Sequence, residues 1–152
     1  MATSNLVHAT GISIGGKAVL IRGPSGSGKT QTAITIIRRG RMAGLDVGLI
    51  ADDQTRVTAN DMGGLTASCP ETIAGQIEVF GFGVYDASAI RSEPAAIALI
   101  ADLVPDQDVA RMPPQAPERL LDIFVPALKL PQRQPNLACH AVFAAIGIDP
   151  WL

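Results

Sequence analysis

The residues Gly23-Pro24-Ser25-Gly26-Ser27-Gly28-Lys29-Thr30 carry the most specific chemical signal in this chain. They fit the spacing G-x-x-x-x-G-K-[ST], in which glycines let the backbone curl and aim successive N–H groups at one anion. Lys29 would add a mobile positive charge for the outer phosphates of a nucleotide, and the Thr30 hydroxyl could ligate magnesium. A helix beginning here would direct the positive end of its dipole at the same anion. A flexible glycine turn could share the spacing, but the flanks argue for a phosphate site. Ala18 to Arg22 reads as a buried strand before the loop, and Lys29 to Arg39 reads as a helix after it.

Asp52-Asp53 is the second chemical feature. The pair closes the short apolar strand Val47 to Ala51. Phosphoryl transfer to a hydroxyl needs a metal ligand and a proton acceptor, and carboxylates supply both. Aspartate also favours strand-ending turns, but beside a phosphate loop the catalytic reading is the stronger one.

The whole chain limits what these groups can belong to. Its 152 residues, 47% hydrophobic and 17% charged, fit one globular domain, residues 1–152, with a substantial core. A net charge of −2 and few aromatics, 4%, give no case for nucleic-acid binding. Met1 to Asn5 lacks the basic-then-apolar pattern of a signal peptide, and the apolar run Pro94 to Val104 contains Asp102 and is too short to span a bilayer. Cys69 and Cys139 lack metal-ligand spacing and read as reduced thiols of a cytoplasmic protein.

The elements that must position the loop follow from local pattern. Leu6 to Ile14 alternates as a strand, and Gly15-Gly16 turns it into the next strand as a hairpin. That hairpin puts an antiparallel component beside the phosphate strand, so a mixed sheet is expected. Gly40 is a candidate terminator of the helix, with an extension through Arg41 and Met42 to Gly44 as the alternative. Gln54 to Ala59 continues extended, Asn60 to Gly64 turns, and Leu65 to Ser68 is a short strand. A brief helical turn starting at Pro70-Glu71-Thr72 is expected around Ile73-Ala74, a strand over Gln76 to Phe80, and a central strand, with a helix as the alternative, within Ala95 to Val104. Asp106 to Glu118 reads as a proline-rich surface loop. Leu121 to Leu130, interrupted by Pro126, reads as a bulged or edge strand, and Leu137 to Ile146 as a helix capped by Asn136 and ended by Gly147.

Taken in order, His8-Ala9-Thr10-Gly11, the loop Gly23 to Thr30, Leu49-Ile50-Ala51-Asp52-Asp53 and Gln76-Ile77-Glu78-Val79-Phe80-Gly81-Phe82-Gly83-Val84 resemble the catalytic domain of HPr kinase/phosphorylases. The resemblance is strong from Leu6 to Val84. Beyond Ser92 it is looser, with Leu130 to Asn136 set against a Pro-Val-Arg-Pro-Gly-Arg-Asn segment. It implies a fold similar to the nucleotide domain of phosphoenolpyruvate carboxykinase, an ATP- and magnesium-dependent kinase acting on a serine of the phosphocarrier protein HPr, and assembly as hexamers. Many family members also run the reverse, phosphorylase reaction. Carried over by position, Asp52 would be the general base and Asp53 its support and a metal ligand. Lys29 and the loop amides from Gly23 to Thr30 would hold phosphate, Ser25 among them. Thr30 and Glu78 would hold magnesium, His8 would lie near the transferred phosphate, and Arg133 would contact phosphate. Phe80 departs from the pattern, standing where the family segment has arginine. A regulatory protein that senses ATP and acts through partner binding is the competing expectation. A small-molecule kinase of the adenylate-kinase type ranks last, because only Arg111 and Arg119 lie in or next to the long loop that would form its lid.

Overall fold

In a computed structural model, which describes residues 4–114 and 116–149, the chain begins with the expected hairpin. Strand β1 (Ser4–Ile14) turns through Gly15 and Gly16 into β2 (Lys17–Arg22), with Ile14 opposite Lys17. Both turn residues have positive φ, 56° and 80°, the geometry that a two-residue hairpin loop needs and glycine adopts at low cost. Met1 to Thr3, which enter the expectation that no leader is present, lie outside the described residues.

The phosphate-type loop leads into helix α1 (Lys29–Met42), followed by β3 (Val47–Ala51) and β4 (Gln54–Ala59). Gly40 does not end the helix. The chain runs on to Met42 and turns at Gly44, φ 82°. Gly40 serves packing instead, since a β-carbon there would lie 2.4 Å from Val47 Cγ2. Next come β5 (Leu65–Ser68), a single helical turn at Glu71–Ile73, and a hairpin of β6 (Gln76–Val79) and β7 (Gly83–Asp86). Strand β8 (Ala95–Val104) precedes the proline-rich loop, a short hairpin of β9 (Glu118–Leu120) and β10 (Ile123–Val125), and β11 (Ala127–Pro131). Helix α2 (Pro135–Ala145) closes the described chain.

The main sheet has seven strands and is mixed, as expected. β11, β8 and β2 run parallel to one another, whereas β1 pairs antiparallel with β2, β3 and β4. β11 lies at the edge, in keeping with Pro126 before it, because proline cannot supply a ladder donor. One feature is not visible in local pattern. The sheet curls until β5 pairs with the start of β8, Thr66 opposite Ala96, so the strands β8, β2, β1, β4 and β5 form a ring.

Curling divides the apolar side chains into two cores. Ala18, Leu20, Val57, Leu65 and Ile100 point into the ring, where β10 adds Val125. Val19, Ile21, Leu99 and Leu103 point the other way, against Ala33, Ile36 and Ile37 of α1 and Val142 and Phe143 of α2. The alternation along β2 and β8 thus serves two interiors rather than one interior and solvent. Helix α2 begins at Pro135, with Gln134 at the cap position, so Asn136 is not its cap. Proline takes the first helical position because its fixed φ suits the helix and its missing N–H would have no helical partner there. Asn136 Oδ1 instead accepts from Arg39 of α1 at 3.1 Å. Gly147, φ 82°, ends the helix as expected.

Candidate functional site

The loop Gly23 to Gly28 joins the end of β2 to the start of α1. Gly26 and Gly28, φ 82° and 95°, give it the left-handed turns that let backbone amides converge. The amino end of α1 has no side-chain cap and no acidic residue in its first turn. Its free N–H groups and dipole are therefore available to an anion. Ser27 Oγ is buried without a hydrogen-bond partner among the described residues. Lys29 Nζ, also buried, donates to the Gly23 carbonyl at 2.9 Å and the Pro24 carbonyl at 3.4 Å, and lies 3.7 Å from Asp53 Oδ1. These features fit the phosphates of a nucleotide.

Arg133 reaches this loop from the turn that follows β11. Its backbone N–H donates to the Ser27 carbonyl and its Nε–H to the Gly26 carbonyl, both at 2.9 Å. A β-carbon on Gly28 would sit 3.5 Å from the Arg133 backbone, so the two segments are in direct contact. Arg133 makes this approach in the left-handed region, φ 58°.

Asp52 and Asp53 occupy the corner between β3 and β4 and face different surroundings. Asp52 is 7% exposed. Its Oδ1 accepts from Thr30 Oγ1 at 2.9 Å and from Thr10 Oγ1 at 3.2 Å, and its Oδ2 accepts from the Glu78 N–H at 2.9 Å. The Asp53 side chain is 56% exposed, and Oδ1 accepts from His8 Nε2–H at 2.7 Å. His8 and Asp53 face each other because β1 and β4 are paired with His8 opposite Gln54.

Glu78 thus comes to the site through its backbone, while its side chain is exposed. Among the described residues, no group of three His, Cys, Asp or Glu side chains is close enough to hold a metal ion. Phe80, fully exposed, lies past the end of β6 with Phe82, Val84 and Tyr85 also exposed on the same hairpin. Phe82 and Tyr85 meet edge to face at 5.6 Å.

Sequence reasoning missed two contributors. Thr10 touches both acids, and only its place two residues after His8 could have pointed to it. Arg22, the last residue of β2, forms a fork with Asp102 of β8 at 2.7 and 2.8 Å and also donates to Glu118. Asp102 is the larger influence holding the Arg22 pKa above its ordinary value, partly offset by burial. The parallel pairing of β2 with β8 places Arg22 opposite Asp102, so this ion pair ties the strand that ends at the loop to its neighbour.

A mixed-sheet α/β domain with a glycine-rich loop feeding a helix, and an acid pair beside that loop, is the class that fold and site define. The chain belongs to the HPr Serine kinase C-terminal domain family, whose pattern it matches over residues 1–142. It is 31% identical over 158 aligned residues to the HPr kinase/phosphorylase of Geobacillus kaustophilus (strain HTA426), covering 97% of this chain and 49% of that protein. To the HPr kinase/phosphorylase of Levilactobacillus brevis it is 32% identical over 158 residues, covering 97% and 49%. The chain therefore spans about half the length of the curated relatives it matches. The fold is that of the Hpr(Ser) kinase/phosphatase from Coxiella burnetii, with TM-score 0.77 and 22% identity over 93% of this chain and 88% of that one.

Proposed function

We propose that residues 1–152 act as one catalytic domain that transfers the γ-phosphoryl group of ATP to a serine of HPr. The observation that carries this reading is the division of labour in the acid pair. Asp52 is buried and occupied by three donors, whereas Asp53 is open to a substrate beside His8 and Lys29. The geometry favours Asp53, not Asp52, as the proton acceptor. In the reaction, the serine oxygen forms a bond to the γ-phosphorus as the bond to the β,γ-bridging oxygen breaks, and the hydroxyl proton passes to the Asp53 carboxylate.

The remaining residues support that step. The loop from Gly23 to Thr30 would bind the phosphates through its amides, with Lys29 offsetting charge that develops on them. Thr30 gives its proton to Asp52, which leaves its oxygen lone pairs for magnesium; Glu78 and Asp53 complete the candidate ligands. Magnesium would supply charge neutralisation at the transferring group. His8 orients Asp53, and Arg133 holds the loop closed and stands ready for phosphate. A fold related to the phosphoenolpyruvate carboxykinase nucleotide domain, homo-oligomers of the hexameric kind and a cytoplasmic setting belong to the same reading. No helix among the described residues is long and apolar enough to cross a membrane.

The test is phosphoryl transfer from labelled ATP, with magnesium, to HPr of the same organism, with the product identified as phosphoserine. Adding excess inorganic phosphate to the phosphorylated product tests the reverse reaction. The competing reading, an ATP sensor acting through a partner, is favoured by Phe80, an exposed aromatic where the family pattern has a cation. Tight ATP binding without phosphate on HPr would select it.

A further inference from the structure

The corner that carries the acids is an irregular piece of backbone. The Gln54 N–H donates to the Asp52 carbonyl at 2.7 Å, closing a three-residue turn centred on Asp53. Asp53 has φ 64°, a conformation that costs a side-chain-bearing residue energy and persists only when neighbours enforce it. The normal ladder is interrupted here. β1 pairs with β4 up to His8 opposite Gln54 and resumes with β3 at Gly11 opposite Ala51, leaving Ala9 and Thr10 beside the two acids.

Threonine hydroxyls fill that interruption. Thr55 Oγ1 donates to the Ala9 carbonyl at 2.9 Å. Thr10 Oγ1, fully buried, accepts the Asp53 N–H at 3.2 Å and donates its own proton to Asp52 Oδ1 at 3.2 Å. One hydroxyl thus links the backbone of one acid to the carboxylate of the other. That carboxylate in turn holds Thr30 of the loop.

We propose that Thr10 is a positioning residue. Its hydroxyl holds the strained turn that projects Asp53 toward Lys29, and it sets the Asp52 carboxylate against Thr30. Valine at this position would keep the shape and remove the link; serine would keep the link. The kinetic part of this inference rests on the phosphoryl-transfer reading above, while its structural part stands without it.

The experiment compares wild type, Thr10→Val and Thr10→Ser by amide hydrogen exchange at Asp53 and by steady-state transfer kinetics. Thr10→Val is expected to speed Asp53 exchange about tenfold or more and to lower kcat by roughly 10- to 100-fold, the range for a lost hydrogen bond to a charged group. KM for ATP should stay within about threefold, because the loop itself is untouched. Thr10→Ser should restore both exchange and kcat. Unchanged exchange in Thr10→Val would overturn the clamp, and faster exchange with unchanged kcat would overturn the positioning role. If wild type transfers no phosphate, the functional reading fails, and the exchange result still decides the clamp. Stability is measured in parallel for Thr10→Val with and without Asp53→Gly, since glycine removes the left-handed strain. A strained turn relaxes when its clamp is lost, so the clamp requires Thr10→Val to destabilise the wild-type background less than the Asp53→Gly background; an equal or larger effect in wild type would overturn it.

Discussion

Thr30 and Asp52 stand 22 residues apart in sequence and are joined by a 2.9 Å hydrogen bond in which the threonine hydroxyl donates. The helix that follows the loop and the strand that ends in the acids are thereby set in register, at the point where the proposed reading puts magnesium. Asp52→Asn tests this junction. An amide in place of the carboxylate must direct its NH2 either at the Glu78 N–H or at the two threonine hydroxyls, and the second choice makes Thr30 turn its proton into the loop. The expected result is a stability loss of about 1–3 kcal/mol, roughly 2–12 °C in melting temperature for a chain of this size. Magnesium-dependent transfer should fall by about 100-fold or more.

Asp53→Asn should behave in the opposite way toward stability. Its side chain is half exposed and makes its hydrogen bond to His8 at the surface. Melting temperature should stay within about 2 °C, since such exposed pairs contribute little. Transfer should still drop by roughly 100-fold or more if this carboxylate takes the serine proton. Calorimetry alongside the transfer assay checks both, and a fully active Asp53→Asn would return the base role to Asp52.

Arg133 combines a backbone strain with a side-chain contact, and two substitutions separate them. Arg133→Ala loses the bond from Nε to the Gly26 carbonyl but keeps a β-carbon at φ 58°. Arg133→Gly loses the same bond and relaxes the backbone. Glycine should therefore be more stable than alanine by about 1 kcal/mol, read from denaturant midpoints. Both should weaken ATP binding by a similar factor, about tenfold, measured by titration calorimetry.

The two thiols give a prediction in pH. Burial pushes both Cys69 and Cys139 above the ordinary thiol value of 9.0, with nearby Arg91 and Arg39 opposing the shift. Only the thiolate is reactive, so alkylation at neutral pH should be slow at half-buried Cys69 and undetectable at Cys139 before unfolding. Because the folded state holds these protons more tightly, stability should begin to fall as pH rises past 9.0, where the unfolded thiols ionise. Labelling followed by mass spectrometry, and melting curves from neutral pH upward, check the two halves.

Much of the site was legible because it is local. The loop, the strand before it, the helix after it and the acid corner each occupy a few consecutive residues whose types dictate backbone shape. His8 lies beside the acids because strand pairing brings β1 against β4. What was missed depends on distant partners. Nothing near Thr66 signals that Ala96 lies opposite it, and Arg22 gives no hint of Asp102, 80 residues on. Glu78 was expected as a metal ligand through its carboxylate; the bond from its N–H to Asp52 is a backbone contact that side-chain chemistry cannot reveal. Asparagine favours the cap position, which points to Asn136, yet the preceding proline starts the helix first.

The contact between Arg133 and the loop has a consequence for synthesis. Ribosomes release the chain from its amino end, so the loop and α1 emerge long before residue 133. Until then the Gly26 and Ser27 carbonyls lack the partners that Arg133 gives them. β8, the strand that flanks β2, is also still missing through most of that interval. On the proposed reading of the loop, nucleotide affinity would therefore be acquired late, when nearly the whole domain has been made. On that reading, prematurely terminated fragments would carry the full glycine-rich motif without the contacts that Arg133 gives the loop.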